Sequence, residues 1–351
     1  MSRFLDPSLR RLEAYVPGEQ PQDKTYVKLN TNESPDPPSP EVIAAVSGQE
    51  VADLRLYSDP ECRLLAQALA DHYGVSCENV LFGNGSDECL NFFFLAFCKS
   101  TPTVFPDITY GFYKVFGDLH GVDYTEIPLT SDFRIDVADY CGIGKNVVLA
   151  NPNAPTGIAL PLRDIERIVA SNPDNAVLID EAYVDFGGES AVSLTKKYDN
   201  LLVVGTFSKS RSLAGARLGF AIGNKDMIAD LHTVRYSTNP YNVNRLTLVA
   251  GRAALASQSY FDENCKKIVE TRAYTKAALE KLGFTVLPSE TNFLFAKSDR
   301  ISGEELYLRL KERGVLVRHF TKERIRDFNR ITVGTKEQCE TLIKTIQDSL
   351  A

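Results

Sequence analysis

No apolar run in the sequence is long enough to cross a membrane. The amino terminus, Met1-Ser2-Arg3-Phe4-Leu5-Asp6-Pro7, lacks the hydrophobic stretch of a secretory signal, so a cytoplasmic location is expected. Basic excess is lacking too. The formal net charge is -7, which argues against a nucleic-acid binder, since such proteins usually carry a basic face. The cysteines (Cys62, Cys77, Cys89, Cys98, Cys141, Cys265 and Cys339) form no Cys-x-x-Cys pair. An odd, scattered set reads as reduced thiols, not as a disulfide framework or a zinc site. The histidines (His72, His120, His232 and His319) are equally dispersed, so no metal is expected.

What is present is ordinary for a globular chain: 44% hydrophobic and 24% charged residues. At 351 residues, two domains and a sizeable core are expected. Residues 1–40 read as an irregular N-terminal arm, because Ser34-Pro35-Asp36-Pro37-Pro38-Ser39-Pro40 can be neither helix nor central strand. Residues 41–245 read as a large cofactor-binding α/β domain. It has helices at Arg63–Tyr73, closed by Gly74, and at Cys89–Cys98. Val80–Phe82, Asn146–Ala150, Ala176–Ile179 and Leu201–Val204 are short runs apolar on both faces. Such runs predict a mostly parallel central sheet covered by helices. Residues 246–351 read as a smaller α/β domain. A long helical stretch at Leu246–Leu282 precedes strands at Phe284–Leu287, Asn292–Phe295, Val315–Arg318 and Arg330–Val333, and Thr335-x-x-Gln338 caps the last helix.

Ligands of open α/β sheets bind at the carboxyl ends of strands. Three of the apolar runs end in polar residues there: Asn151-Pro152-Asn153-Ala154-Pro155-Thr156-Gly157, Asp180-Glu181-Ala182-Tyr183, and Thr206-Phe207-Ser208-Lys209 continuing to Arg217. Taken singly, an Asp at a strand end is usually a turn residue and a Ser-Lys pair is usually surface. Together they match what an aldehyde cofactor on a pyridine ring requires. Lys209 would condense with the aldehyde as a Schiff base. Asp180 would keep the ring nitrogen protonated, so that the ring can accept electrons. Tyr183 would bond the phenolic oxygen, while Thr206, Ser208 and Arg217 would hold the phosphate. Upstream, Gly83-Asn84-Gly85-Ser86-Asp87-Glu88 links a strand to a helix, with Ser86 suited to the N-cap and the exposed N–H groups suited to an anion. As a dinucleotide fingerprint this segment fails, since Glu88 stands at the third glycine position.

The run Thr206-x-Ser208-Lys209-x-x-x-Leu213-Ala214-Gly215-x-Arg217-x-Gly219 resembles the lysine signature of fold-type I aminotransferases. Tyr15-x-Pro17-Gly18-Glu19, Leu29–Pro35, Arg55–Pro60, Gly83–Glu88, Tyr110–Tyr113, Val317-Arg318 and Arg330–Gly334 extend the likeness to the histidinol-phosphate branch. The resemblance implies pyridoxal 5'-phosphate as cofactor, with Gly85, Ser86, Asp87 and Glu88 around its phosphate and Tyr110 stacked on its ring. It also implies a homodimer with shared sites, in which Tyr57 reaches the partner's phosphate. Arg330, with Arg318 nearby, would hold a carboxylate or phosphate of the substrate. Asn32 would lie beside that site, and Tyr15 would close over the substrate from the arm. Ala154 departs from the family pattern, which has Asn directly before Pro-Thr-Gly. Either Asn153, one residue earlier, supplies that amide or Tyr183 carries the bond alone.

The expected reaction is transamination between histidinol phosphate and 2-oxoglutarate, giving imidazole acetol phosphate and glutamate, with Lys209 as the proton-moving base. An aromatic aminotransferase and a threonine-phosphate decarboxylase are alternatives on the same scaffold. A nicotinamide-dependent oxidoreductase is the alternative from another class, and the broken glycine fingerprint disfavours it.

Overall fold

A computed structural model describes residues 3–10 and 12–350. Met1 and Ser2 of the amino terminus lie outside the described residues. The arm contributes one short strand, β1 (Val27–Lys28). A seven-stranded sheet follows, built from β2 (Val80–Asn84), β3 (Thr103–Pro106), β4 (Tyr124–Ile127), β5 (Asn146–Ala150), β6 (Val177–Asp180), β7 (Leu201–Thr206) and β8 (Leu218–Gly223). Its spatial order is β2-β8-β7-β6-β5-β3-β4, and β8 alone runs antiparallel to its neighbours. The mostly parallel sheet expected from the apolar runs is present.

Each central strand is buried on both faces, and alternate residues serve two cores. Val147, Leu149, Val177, Ile179, Leu201 and Val203 face one side, under the helices Arg63–Tyr73, Leu162–Ser171 and Arg245–Ala256. Val148, Leu178, Leu202 and Val204 face the other, under Ser86–Phe97, Phe112–His120 and Lys225–Thr238. The helix Leu162–Ser171 shows why these segments pack as they do: Ile165, Ile168 and Val169 form its buried stripe at helical spacing. Gly74 ends Arg63–Tyr73 in the left-handed conformation at φ 63°.

The second unit contains β9 (Phe284–Val286), β10 (Phe293–Ser298), β11 (Val315–Leu316), β12 (Arg318–His319) and β13 (Phe328–Thr332). Its antiparallel sheet has the order β12-β13-β10-β9, while β11 pairs in parallel with β1. The expected single strand Val315–Arg318 is therefore two, because its halves pair in different sheets.

Two expected boundaries shift. Residues 27–29 are not free arm: β1 is tied to β11, and Leu29 is buried in the core of the second unit with Val315 and Ile331. The division at 245/246 falls too early. Ala250, Ala254 and Leu255 pack in the core of the larger sheet, and the stretch expected as one helix breaks at Ser257. The helix Gln258–Lys281 then passes between units, with Cys265 and Ile268 against Phe186 and Leu279 in the smaller core. Among the described residues, no helix is long and apolar enough to cross a membrane.

Candidate active site

The carboxyl ends of β6 and β7, and the loop after β5, open onto a cavity of about 870 Å³. Lys209 stands three residues beyond β7. Its Nζ lies 3.4 Å from the carbonyl oxygen of Thr31 and 5.7 Å from the centre of the Tyr183 ring. At that distance the bond to Thr31 is weak, which leaves the amine available for chemistry. The Tyr183 hydroxyl accepts the Asn32 side-chain amide at 2.9 Å, so its own proton remains free to donate. Asn32 has a left-handed backbone (φ 57°), which Asn tolerates. Thr332 holds it in place by bonding both its N–H (3.0 Å) and its Oδ1 (2.9 Å).

Asp180 closes β6 at the cavity wall and is buried. Burial pushes its carboxyl up to about 6; hydrogen bonds from the Tyr113 hydroxyl and the Ala182 N–H pull the other way. A buried carboxylate facing a cavity suits a protonated ring nitrogen, which would offset the cost of its charge.

Closely packed glycines shape another part of the site. β2 and β8 place Gly83 opposite Gly219. A Cβ on Gly219 would lie 2.2 Å from the Ser86 nitrogen, and one on Gly85 would lie 2.3 Å from Arg217 Nη2. At Gly219 the close atoms are backbone, so no larger residue fits, and at Gly85 the φ of 82° favours glycine whatever the arginine does. Arg217 Nη2 sits 3.1 Å from Asp87 Oδ2, and the Tyr110 hydroxyl donates to Asp87 Oδ1 at 2.7 Å. The Ser208 N–H donates to Thr206 Oγ1 at 3.1 Å. Ser86, Thr206, Ser208 and Arg217 line one side of the cavity. Together they offer a guanidinium, hydroxyls and a helix N-terminus to a doubly charged group.

Three expected roles need correction. Ser86 is the first residue of its helix, and Gly85 (φ 82°) occupies the N-cap instead. The positive φ explains this, since glycine adopts it without strain. The Glu88 carboxylate turns to the Asn84 N–H (2.6 Å) and the Asn242 amide (2.5 Å), which braces the loop instead of facing the cavity. Asn153 donates both amide N–H groups elsewhere, to Ile108 O (3.0 Å) and Thr156 Oγ1 (3.0 Å). Its neighbours Ala154 and Pro155 line the cavity. The Tyr183 hydroxyl, in contrast, keeps its proton free toward the cavity.

Arg318 and Arg330 face each other across the β12–β13 pairing, and both line the cavity. Arg330 donates through Nη2 to the Asn30 carbonyl at 3.0 Å, and its buried Nε has no partner. Burial pulls its guanidinium below the usual arginine range. Arg318 donates to the carbonyls of Val16 (3.0 Å) and Pro17 (3.1 Å) in the arm. Neither arginine forms an ion pair among the described residues, so both charges are available to an anion. Tyr15 covers this end, stacked on Phe112 at 4.3 Å and edge-on to Tyr110 at 6.2 Å. Tyr57 is not brought to this cavity. It is 81% exposed and stacks on Tyr241 at 4.6 Å.

Residues that sequence reasoning gave no role also hold the site. Tyr113, Asn30 and Thr332 fix Asp180, Arg330 and Asn32 respectively, while the Thr31 carbonyl only approaches the Lys209 amine. Tyr113 falls in the Tyr110–Tyr113 segment that carries the family likeness, but that likeness gives its hydroxyl no role.

The chain matches the family model for aminotransferase class I and II over residues 24–346. It is 48% identical to a histidinol-phosphate aminotransferase of Brachyspira hyodysenteriae over 99% of both chains. It is 50% identical to histidinol-phosphate aminotransferase 1 of Bradyrhizobium diazoefficiens, again over 99% of both. Among solved structures, the histidinol-phosphate aminotransferase of Sinorhizobium meliloti in complex with pyridoxal-5'-phosphate superposes with a TM-score of 0.89 at 25% identity. That match covers 100% of this chain and 98% of the other. A lysine free to condense, a buried carboxylate on the cavity wall and a glycine-built phosphate cradle fit that cofactor, and the chain belongs to the class I and II aminotransferase family.

Proposed function

We propose that the protein catalyses transamination of L-histidinol phosphate with 2-oxoglutarate, giving imidazole acetol phosphate and L-glutamate, as a step of histidine biosynthesis. One observation carries the reading: Arg318 and Arg330, in no ion pair among the described residues, share a cavity with Lys209. A substrate that brings an amino group to Lys209 and an anionic tail to the arginines fits this arrangement. The full-length likeness to histidinol-phosphate aminotransferases supports the same substrate pair.

Bound in the cavity, pyridoxal 5'-phosphate supplies an aldehyde that exchanges amino groups and a protonated ring that draws electrons from the reacting carbon. Asp180 would keep the ring nitrogen protonated, and Tyr183 would donate its free O–H to the phenolic oxygen. Arg217, Ser208, Thr206 and the N–H groups at Ser86 and Asp87 would hold the phosphate, and Tyr110, which lines the same cavity, would help hold the ring. Lys209 Nζ takes the proton from the reacting carbon of the substrate and later returns one, as general base and acid. Arg330 and Arg318 hold the substrate phosphate in one half-reaction and the carboxylate of glutamate in the other. Asn32 steadies the Tyr183 hydroxyl beside them, and Tyr15 excludes water from the closed site.

We further propose a homodimer in which Tyr57 reaches the phosphate site of the second copy. Its exposure beside exposed Leu54 and Leu56 supports a surface that another chain covers. Steady-state product analysis tests the overall reaction. Histidinol phosphate and 2-oxoglutarate should yield glutamate and imidazole acetol phosphate in equal amounts. Carbon dioxide release without glutamate would overturn the reading.

A further inference from the structure

Tyr113 is fully buried behind the cavity wall, near the start of the helix Phe112–His120. Its backbone N–H donates to the Tyr110 carbonyl at 3.2 Å, and its ring packs edge-on against Tyr110 (5.7 Å) and Phe105 (5.9 Å). Phenylalanine would fill the same space. The hydroxyl has one role in the structure, which is to donate to Asp180 Oδ2 at 2.8 Å. The other bond to this carboxylate comes from the Ala182 N–H, at 3.2 Å to Oδ1. Tyr113 therefore fixes both the backbone of Tyr110, which faces the cavity, and the one acid that closes its wall at β6.

We propose that Tyr113 is a positioning residue that acts through Asp180, keeping the carboxylate charged and aimed at the cofactor's ring nitrogen. This rests on reading the cavity as a pyridoxal-5'-phosphate site. Several groups face Asp180. Lys209, from the loop after β7, favours its charged form; Asp87, from the helix Ser86–Phe97, and the adjacent Glu181 oppose it. Cys89 of the same helix also lies within electrostatic reach. Burial is the largest influence and raises the carboxyl, and the Tyr113 hydrogen bond is the largest one opposing it. Without that bond Asp180 protonates at higher pH, and a neutral acid no longer holds a cationic ring.

The test is the dissociation constant for pyridoxal 5'-phosphate, measured by equilibrium dialysis of the full chain between about pH 5 and pH 8.5, with Asp180 expected to titrate inside that range. Wild type, Tyr113→Phe, Asp180→Asn and the double variant are compared. The cofactor's own titrations are common to all four and cancel in the ratios. In Tyr113→Phe the acid-side loss of affinity should move up by about 1–2 pH units, the size of a hydrogen bond to a charged group. The double variant should match Asp180→Asn, and melting curves of the variants establish that each is folded. An acid limb of Tyr113→Phe that coincides with wild type overturns the proposal. So does an equal effect of Tyr113→Phe in the Asp180→Asn background, since the residue would then not act through Asp180. A wild-type affinity and pH profile in Asp180→Asn overturns the reading of the cavity itself.

Discussion

The side-chain amide of Asn32 donates to the hydroxyl of Tyr183 at 2.9 Å, across 151 residues of sequence. Through Asn32 the end of the arm and the smaller unit, by way of Thr332, meet the strand-end loop of the larger sheet. The bond also decides the direction of the tyrosine proton, because a hydroxyl that accepts from Asn32 can still donate into the cavity. Asn32→Ala should lower kcat by about 2–10-fold at saturating cofactor, the value of one hydrogen bond. Cofactor affinity should change less, since the phosphate cradle is untouched. Parallel determinations of kcat and cofactor affinity check this, and an unchanged kcat would count against the role given to the bond.

Arg217 places one guanidinium nitrogen 3.1 Å from Asp87 at the glycine-built cradle. If Arg217 holds the cofactor phosphate as proposed, Arg217→Ala removes a charge-assisted contact worth about 1.5–3 kcal/mol. The dissociation constant for pyridoxal 5'-phosphate should rise by about 10–150-fold, and excess cofactor should restore most of the turnover. Failure of excess cofactor to restore activity would place the arginine elsewhere in the reaction.

Two adjacent buried acids make the cofactor-free protein sensitive to pH. Burial raises Asp180 to about 6 and Glu181 to about 8, despite bonds to Glu181 from Ser190 and the Ala191 N–H. Both values lie above the unfolded ones, so the folded state holds more protons between them. Their contribution to stability is complete below about pH 4, near the unfolded values. It is lost as pH rises through about 6 and then about 8. Melting temperatures of the cofactor-free protein should therefore carry a downward component across this range. Glu181→Gln should flatten the upper part of the curve. A slope above pH 7 that survives this substitution would contradict the assignment.

If Tyr57 serves the second copy, two inactive chains can repair each other. Lys209→Ala alone should lose activity by at least about 100-fold, as expected for a group that moves the proton. Tyr57→Ala weakens the site across the interface. In a mixed dimer one site carries Lys209 from one chain and Tyr57 from the other, so it is complete. Mixing the two variants under subunit exchange should regain up to about a quarter of wild-type activity by simple pairing. No gain over the separate variants, with exchange verified by mass, would sink the shared-site reading.

The parts legible in the sequence were those dictated by burial. β5, β6 and β7 are covered on both faces, so they appear as unbroken apolar runs, and the first polar residues after them mark the cavity. Asp180 and Lys209 were found this way. What was not legible depended on side-chain direction or long-range pairing. Glu88 and Asn153 have the right chemistry in the right loops, yet their amide and carboxylate groups are spent on local bracing. Tyr113 stands in the Tyr110–Tyr113 segment of the family likeness, yet nothing in local spacing shows that its hydroxyl meets Asp180. β1 spans only Val27–Lys28, too short for alternation to reveal. The helix Arg245–Ala256 is amphipathic whichever core it covers, so its pattern could not place it on the larger sheet.

Lys209 and the two arginines are proposed to act on one substrate within one cavity. Mixing cofactor-loaded protein with histidinol phosphate, without any keto acid, and following the visible absorption of the bound cofactor tests this at a single turnover. The expected result is stoichiometric loss of the original band, with one imidazole acetol phosphate released per site. A band left unchanged by histidinol phosphate, but bleached by glutamate or an aromatic amino acid, would contradict the proposed substrate.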